Sequence, residues 1–172
     1  MSQTAKSLNT GLSIRPASER DIPVISQLAH AIWPVAYDGI LLPEHISNML
    51  ERMYNHDDLK KQMTVDGHRF WLASINERPV AFMSGYREDD VVWLKKIYVD
   101  PACKGQGVGK ALIATLEQAF APASEMRLLV NPKNFPAMDF YRHVGFVESG
   151  RQEVQMGDFR FVDFVFSRQL KA

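Results

Sequence analysis

Apolar residues along the chain recur at two spacings, every second position in some runs and every third or fourth in others, and the switches between them mark out the elements. LeuSerIleArgPro (12–16) alternates and predicts a short strand; AlaSerGluArgAspIlePro then supplies a cap and helix start ahead of ValIleSerGlnLeuAla. Residues 31–43, AlaIleTrpProValAlaTyrAspGlyIleLeuLeuPro, are too broken by proline and glycine for one helix and too apolar for an exposed loop, so they are expected to cover something or to be covered. From Glu44 to about Met63 the pattern is helical and strongly charged. PheTrpLeuAlaSerIle (70–75) and ProValAlaPheMetSerGlyTyr (79–86) read as strands joined by a hairpin at AsnGluArg.

The next strand, ValValTrpLeuLysLysIleTyrVal (91–99), keeps imperfect time: Leu94 and Ile97 stand three apart, whereas Ile97 and Val99 hold period two. A β-bulge produces that slip, and it re-aims the backbone. A helix is expected from about Gly107 to Phe120, with Val108, Leu112, Ile113 and Leu116 on one side. MetArgLeuLeuVal (126–130) reads as a buried strand, residues 134–144 as a short helix ended by Gly145, and PheValGluSer and PheArgPheValAspPheValPhe as two final strands. The class is α/β: a mixed, mostly antiparallel sheet of six to seven strands with flanking helices.

At 172 residues, with no repeat, low-complexity tract or dividing linker, one domain over 12–172 is expected after a flexible tail at 1–11. Twenty basic and twenty acidic residues balance, so nothing draws the whole molecule toward nucleic acid or an anionic membrane; any anion site must be local. The single cysteine, Cys103, leaves no internal disulfide and fits a reducing, cytoplasmic setting; it is either a reactive thiol beside the glycines or a bystander. The first residues carry no apolar leader core, and no window nears the roughly 18 apolar residues of a membrane span. Five histidines without HExxH spacing, and no GxSxG elbow, point to neither a metal nor an acyl-enzyme.

ValAspProAlaCysLysGlyGlnGlyValGlyLys (99–110) is the informative stretch. A strand, a glycine turn and a helix start make an anion site, because unpaired N–H groups converge there and the helix dipole adds about half a positive charge. The dinucleotide fingerprint fails, since its third glycine would be Lys110. The ATP-type loop fails as well: Lys104 stands at its first glycine and Ala111 at its hydroxyl. The plain alternative is a strand-to-helix turn whose glycines serve conformation only.

The letters resemble the pyrophosphate signature of the GNAT superfamily of acetyl-CoA-dependent N-acetyltransferases, Gln-or-Arg, x, x, Gly, x, Gly-or-Ala, with Gly107 and Gly109 in the last two fixed places. Lys104 holds the Gln-or-Arg place, keeping a cation but losing the forked donor of arginine. IleTyrValAspPro before the loop, and AsnPheProAlaMetAspPheTyr and GlyPhe after it, are similar to the family's pattern too, so the likeness runs from about residue 12 onward. Within the superfamily the chain looks like PaiA-type polyamine acetyltransferases, through IleTyrVal, AsnxxAlaxxPheTyr, MetGlyAsp (156–158) and Asp163.

The resemblance implies that the strands at 91–99 and 126–130 splay apart, so that the pantetheine arm of acetyl-CoA pairs with the backbone of Ile97, Tyr98 and Val99 like an added strand. Val99 N–H would donate to the oxyanion, and the amides of Lys104, Gly105, Gln106, Gly107, Val108, Gly109 and Lys110 would hold the pyrophosphate. Tyr141 matches the general acid that protonates the leaving thiolate and also borders the cofactor; otherwise it is a core aromatic beside Phe140. Asn134 matches a cofactor contact, or serves as an ordinary N-cap. Trp33 and Tyr37 fall where the family places an acceptor-binding wall, or form helix-packing core. An alkyl amine is only about 0.1% neutral at pH 7, so a base is required; Glu51, Asp57, Asp58, His30 and His68 are the candidates, each also readable as a solvated or capping residue. The implied partner is a small-molecule, polyamine-like primary amine, met by a monomer or homodimer. Transfer to protein N-termini or lysines is the same-class alternative, and a catalytically idle acyl-CoA-binding regulatory module the different-class one.

Overall fold

The computed structural model describes residues 11–156 and 158–170. The tail expected at 1–11 lies, apart from Gly11, outside the described residues, as does Gly157 of MetGlyAsp. Seven strands follow the expected order: β1 (Leu12–Ala17), β2 (Arg69–Ile75), β3 (Arg78–Glu88), β4 (Val91–Val99), β5 (Glu125–Val130), β6 (Val147–Met156) and β7 (Phe159–Gln169). Five α-helices accompany them: α1 (Ile22–Ala36), α2 (Pro43–Met53), α3 (His56–Thr64), α4 (Val108–Ala119) and α5 (Phe135–His143). The strands form one sheet in the order β1-β2-β3-β4-β5-β7-β6, antiparallel except for the β4–β5 pair.

The entry to α1 is set by a clamp. Arg15 reaches both carboxylate oxygens of Asp21, at 2.8 and 3.0 Å, while Asp21 accepts the Ser18 N–H at 2.8 Å. The helix then runs through Pro34 to Ala36, against the break expected at 31–43. Ile25, Ala29, Ile32 and Trp33 are all buried, and their packing outweighs the one backbone bond that proline removes near a helix end. The chain leaves the helix only at Tyr37, whose N–H bonds Trp33 O at 2.9 Å.

The charged stretch from Glu44 to Met63 is helical as expected, divided between α2 and α3. Asn55 breaks it and caps α3, its Oδ1 accepting the Asp58 N–H at 2.8 Å. The β2–β3 hairpin turns on Asn76 and Glu77, with φ of 50° and 68°, as a two-residue primed turn requires.

The expected bulge is present in β4. Ser84 pairs with Lys96 and Gly85 with Leu94, leaving Lys95 as the extra residue. Bare backbone is needed opposite it: a Cβ on Gly85 would come within 2.7 Å of Trp93 O. The parallel pairing of β4 with β5 runs only from Val91–Glu125 to Leu94–Leu128. β5 instead stays with β7 as far as Val130–Phe164, so β4 and β5 part as the splay anticipated.

The sheet separates two apolar layers. On one face Ala81, Met83, Leu94 and Leu128 meet Leu112 and Leu116 of α4 and Met138 of α5; on the other Phe70, Leu72 and Phe82 meet Ile25, Trp33, Leu50 and Leu59 from α1 to α3. Among the described residues, no helix is long and apolar enough to cross a membrane.

Candidate active site

The β4–β5 pairing ends at Leu94–Leu128, and the unpaired end of β4 leads through the glycine turn into α4. Asp100 first tightens the exit from β4, its Oδ1 accepting Ala102 N–H at 2.9 Å. The first intrahelical bond of α4 is Ala111 N–H to Gly107 O at 3.0 Å, so the amides of Val108, Gly109 and Lys110 have no acceptor within the helix. Gly105 and Gly107 both sit at φ 82°, and a Cβ on either would meet nothing within 4 Å. These two glycines therefore answer a backbone requirement, and the mouth of the loop stays open. Gly109 serves differently: a Cβ there would lie 2.9 Å from Cζ of Phe140, so its role is to let α4 rest on α5.

With Lys104 and Lys110 exposed on its rim, this loop has the donors and the sign of charge that a diphosphate needs. The parted β4 edge beside it has the free strand face that an extended arm needs. The residues present thus fit coenzyme A.

Three tyrosines converge at the gap from three elements. Tyr37, at the end of α1, and Tyr98, on β4, join hydroxyls at 2.9 Å. Tyr141 comes from α5, its ring 5.8 Å from Phe146 and 6.4 Å from Phe166. Burial, reinforced by the nearby Tyr37, pushes the Tyr141 phenol well above its ordinary value, so the group stays protonated at any physiological pH.

Residues 29–146 match the acetyltransferase (GNAT) family. The chain belongs to that family. The peptidyl-lysine N-acetyltransferase YjaB of Escherichia coli is 41% identical over 88 residues, which is 49% of this acetyltransferase and 53%, about half, of that enzyme. The spermidine N(1)-acetyltransferase of Thermoplasma acidophilum is 22% identical over 141 residues, 78% of this chain and 88% of its relative. Among solved structures, the PaiA N-acetyltransferase of Thermoplasma acidophilum in complex with coenzyme A aligns with a TM-score of 0.80 at 21% identity, covering 92% of this chain and 99% of that one. That last likeness is one of fold.

In this acetyltransferase the remaining expected residues fall in different places. Trp33 is 2% exposed and packs behind the tyrosines, its ring 4.6 Å from Tyr37 and 5.4 Å from Tyr98. Tyr37 is half-buried in front of it. Asn134 caps α5, Oδ1 accepting Ala137 N–H at 3.3 Å. Cys103 is buried, with the Arg78 guanidinium 3.8 Å from its sulfur.

The five candidate bases have other company. Glu51 and Asp57 are exposed, Asp58 bonds Asn55 Nδ2 at 2.7 Å within its own cap, and His30 Nδ1 meets Ser26 O at 2.8 Å. His68 stacks on Tyr86 at 4.7 Å, and burial, with Lys96 and Lys95 nearby, holds its pKa down at about 4.

Two lysines were missed. Lys95, in the bulge, shares its surroundings with Asp163 on β7, which lies one residue past the last β5–β7 pair. Burial raises the Asp163 carboxyl and Lys95 offsets part of that rise; burial also raises the Tyr37 phenol, to which the nearby Asp163 adds a smaller push. Lys96 is 3% exposed, a basic side chain buried beside the apolar layer under α1 to α3. The only sign in the sequence was that pair of lysines at the phase slip.

Proposed function

We propose that this acetyltransferase moves acetyl from acetyl-CoA directly to a primary amine, and that the acceptor is small and polyamine-like. The observation that carries the reading is the meeting of Tyr141 with the Tyr37–Tyr98 pair beside the open edge of β4. The amides of Lys104 through Lys110 hold the pyrophosphate, and Ile97, Tyr98 and Val99 bind the arm as an added strand. Val99 N–H then faces the oxygen that gains charge. Tyr141, kept protonated, supplies the proton that the departing sulfur takes up. Acetyl-CoA, when bound, contributes an activated acyl group, so positioning and two proton transfers are what remain for the protein.

The spermidine acetyltransferase relative supports a polyamine, and so does Asp163: a carboxylate near Tyr37 suits the second ammonium of a diamine. A lysine side chain of a protein is the second reading, favoured by the 41% identity to the peptidyl-lysine enzyme. One experiment separates them. CoA should raise the melting temperature, and thiol release from acetyl-CoA should follow addition of spermidine; release with a lysine peptide alone moves the acceptor to protein. Stabilisation by CoA without release to any amine would leave an acyl-CoA-binding module instead.

A further inference from the structure

The parallel strands β4 and β5 leave the sheet at the same end, the end where their pairing has ceased. One feeds the glycine turn and α4, the other the turn into α5, so two helix starts flank the mouth of the gap. They face it with different equipment. The start of α4 offers amides without acceptors in the helix, but at α5 the donors are used up. Asn134 takes the Ala137 N–H on Oδ1 at 3.3 Å and the Met138 N–H on its carbonyl at 3.0 Å, and Pro136 has none to give. What α5 presents instead is a ring: Phe135, its first residue, is 66% exposed.

That ring is held still and left bare. Asn131 Oδ1 accepts the Lys133 N–H and Asn131 O the Asn134 N–H, both at 2.9 Å, so the turn before it is pinned at two points. Among the described residues no ring or cation packs on the phenyl group. Nothing local asks for it either. The first turn of a helix favours acidic residues, and Phe135 has no share in the apolar layer that Met138 and Phe140 join on the same helix.

We propose that Phe135 is the platform on which the adenine base of coenzyme A stacks, resting on the assignment of the pyrophosphate to the glycine loop. The helix contact supplies the spacing. Gly109 stands against Phe140, which ties the phosphate-binding end of α4 to the second turn of α5. At about 1.5 Å of rise per residue, Phe135 precedes Phe140 by about 7.5 Å along the helix, a step of the order of the ribose that separates a phosphate from its base. Lys133, exposed in the same turn, supplies the positive charge that the ribose 3′-phosphate of this nucleotide calls for. Stacking needs only the π-face of the base, so a hydrocarbon ring without hydrogen-bonding groups suffices. Phe135 touches no reacting atom; it adds affinity for the whole cofactor over its pantetheine arm.

The test is calorimetric titration with two ligands, CoA and 4′-phosphopantetheine, which keeps the arm and one phosphate but lacks the nucleoside. Phe135→Ala should weaken CoA binding about tenfold and change 4′-phosphopantetheine binding by less than about 2-fold. Phe135→Trp should hold CoA at least as well as the wild type, and the fluorescence of its added indole should be quenched by CoA but not by 4′-phosphopantetheine. Melting curves of the unliganded variants confirm that each is folded. Unchanged CoA affinity in Phe135→Ala, equal losses for both ligands, or an indole that CoA leaves unquenched would overturn the platform while the cofactor site stands. Failure of the wild type to bind CoA would instead sink the cofactor assignment and take the platform with it.

Discussion

Tyr37 and Tyr98, 61 residues apart in sequence, share a hydroxyl contact of 2.9 Å that ties the end of the first helix to the strand bordering the gap. On the proposed reading that bond would fasten the acceptor side of the site to its cofactor side, and the side chains around it set what can be measured.

Tyr141→Phe should lower turnover by about 100-fold and leave CoA affinity within about 2-fold, because only the hydroxyl is lost and the ring still packs on Phe146 and Phe166. Thiol release and calorimetric CoA titration read the two quantities. Since burial raises this phenol, no loss of activity from its ionisation should appear below about pH 10. An unchanged turnover in Tyr141→Phe would remove it as the acid.

Gly107→Ala should weaken CoA binding by about tenfold and destabilise the fold by about 1 kcal/mol. Its φ of 82° disfavours any side chain even though the space is open. Gly109→Ala should instead act by contact, forcing Phe140 away from a Cβ at 2.9 Å, so that enlarging Phe140→Leu space rescues it and not Gly107→Ala. Melting curves with and without CoA distinguish the two.

Lys96→Met should raise stability at pH 7 by about 2 kcal/mol. The folded lysine loses its proton near 7 and the unfolded one near 10.5, so between those values the unfolded chain binds more protons and wild-type stability rises with pH. The full cost is present below about 7 and gone above 10.5, and Lys96→Met should flatten that slope. Urea titrations at pH 6, 8 and 10 measure it.

Asp21→Asn should cost about 1 kcal/mol near neutral pH, as the clamp on Arg15 and the Ser18 N–H weakens. Arg15 is largely exposed, which keeps the figure small. Arg15 holds the Asp21 carboxyl below its ordinary 3.8, so this stability is complete above that value and lost as pH falls further; acid unfolding should begin at higher pH in the variant if the clamp is removed by Arg15→Ala.

Local spacing made much of the fold legible. The three-residue step from Leu94 to Ile97 foretold the bulge, and the glycine loop was found because φ near 82° leaves few residues to choose from. Pro34 misled because the burial of Trp33, a tertiary fact, decides whether the helix continues. Asn55 hid among charged neighbours, where a capping side chain and a solvated one look alike. The meeting of Asp163 with Lys95 depends on β5 and β7 outrunning β4, a relationship between distant segments that no window of sequence contains. Lys96 was concealed for a related reason: an adjacent pair of lysines reads as surface until the bulge takes one outward and sends the other in.

That bulge has an evolutionary edge. Without Lys95, Leu94 and Lys96 would simply alternate, and every later side chain of β4 would keep the face it has now. Nothing would be missing from the chemical inventory, yet the straightened strand would be able to run on alongside its parallel neighbour, healing the slot. The loss of a single codon, at a position that need never touch either reactant, would be enough to silence the protein.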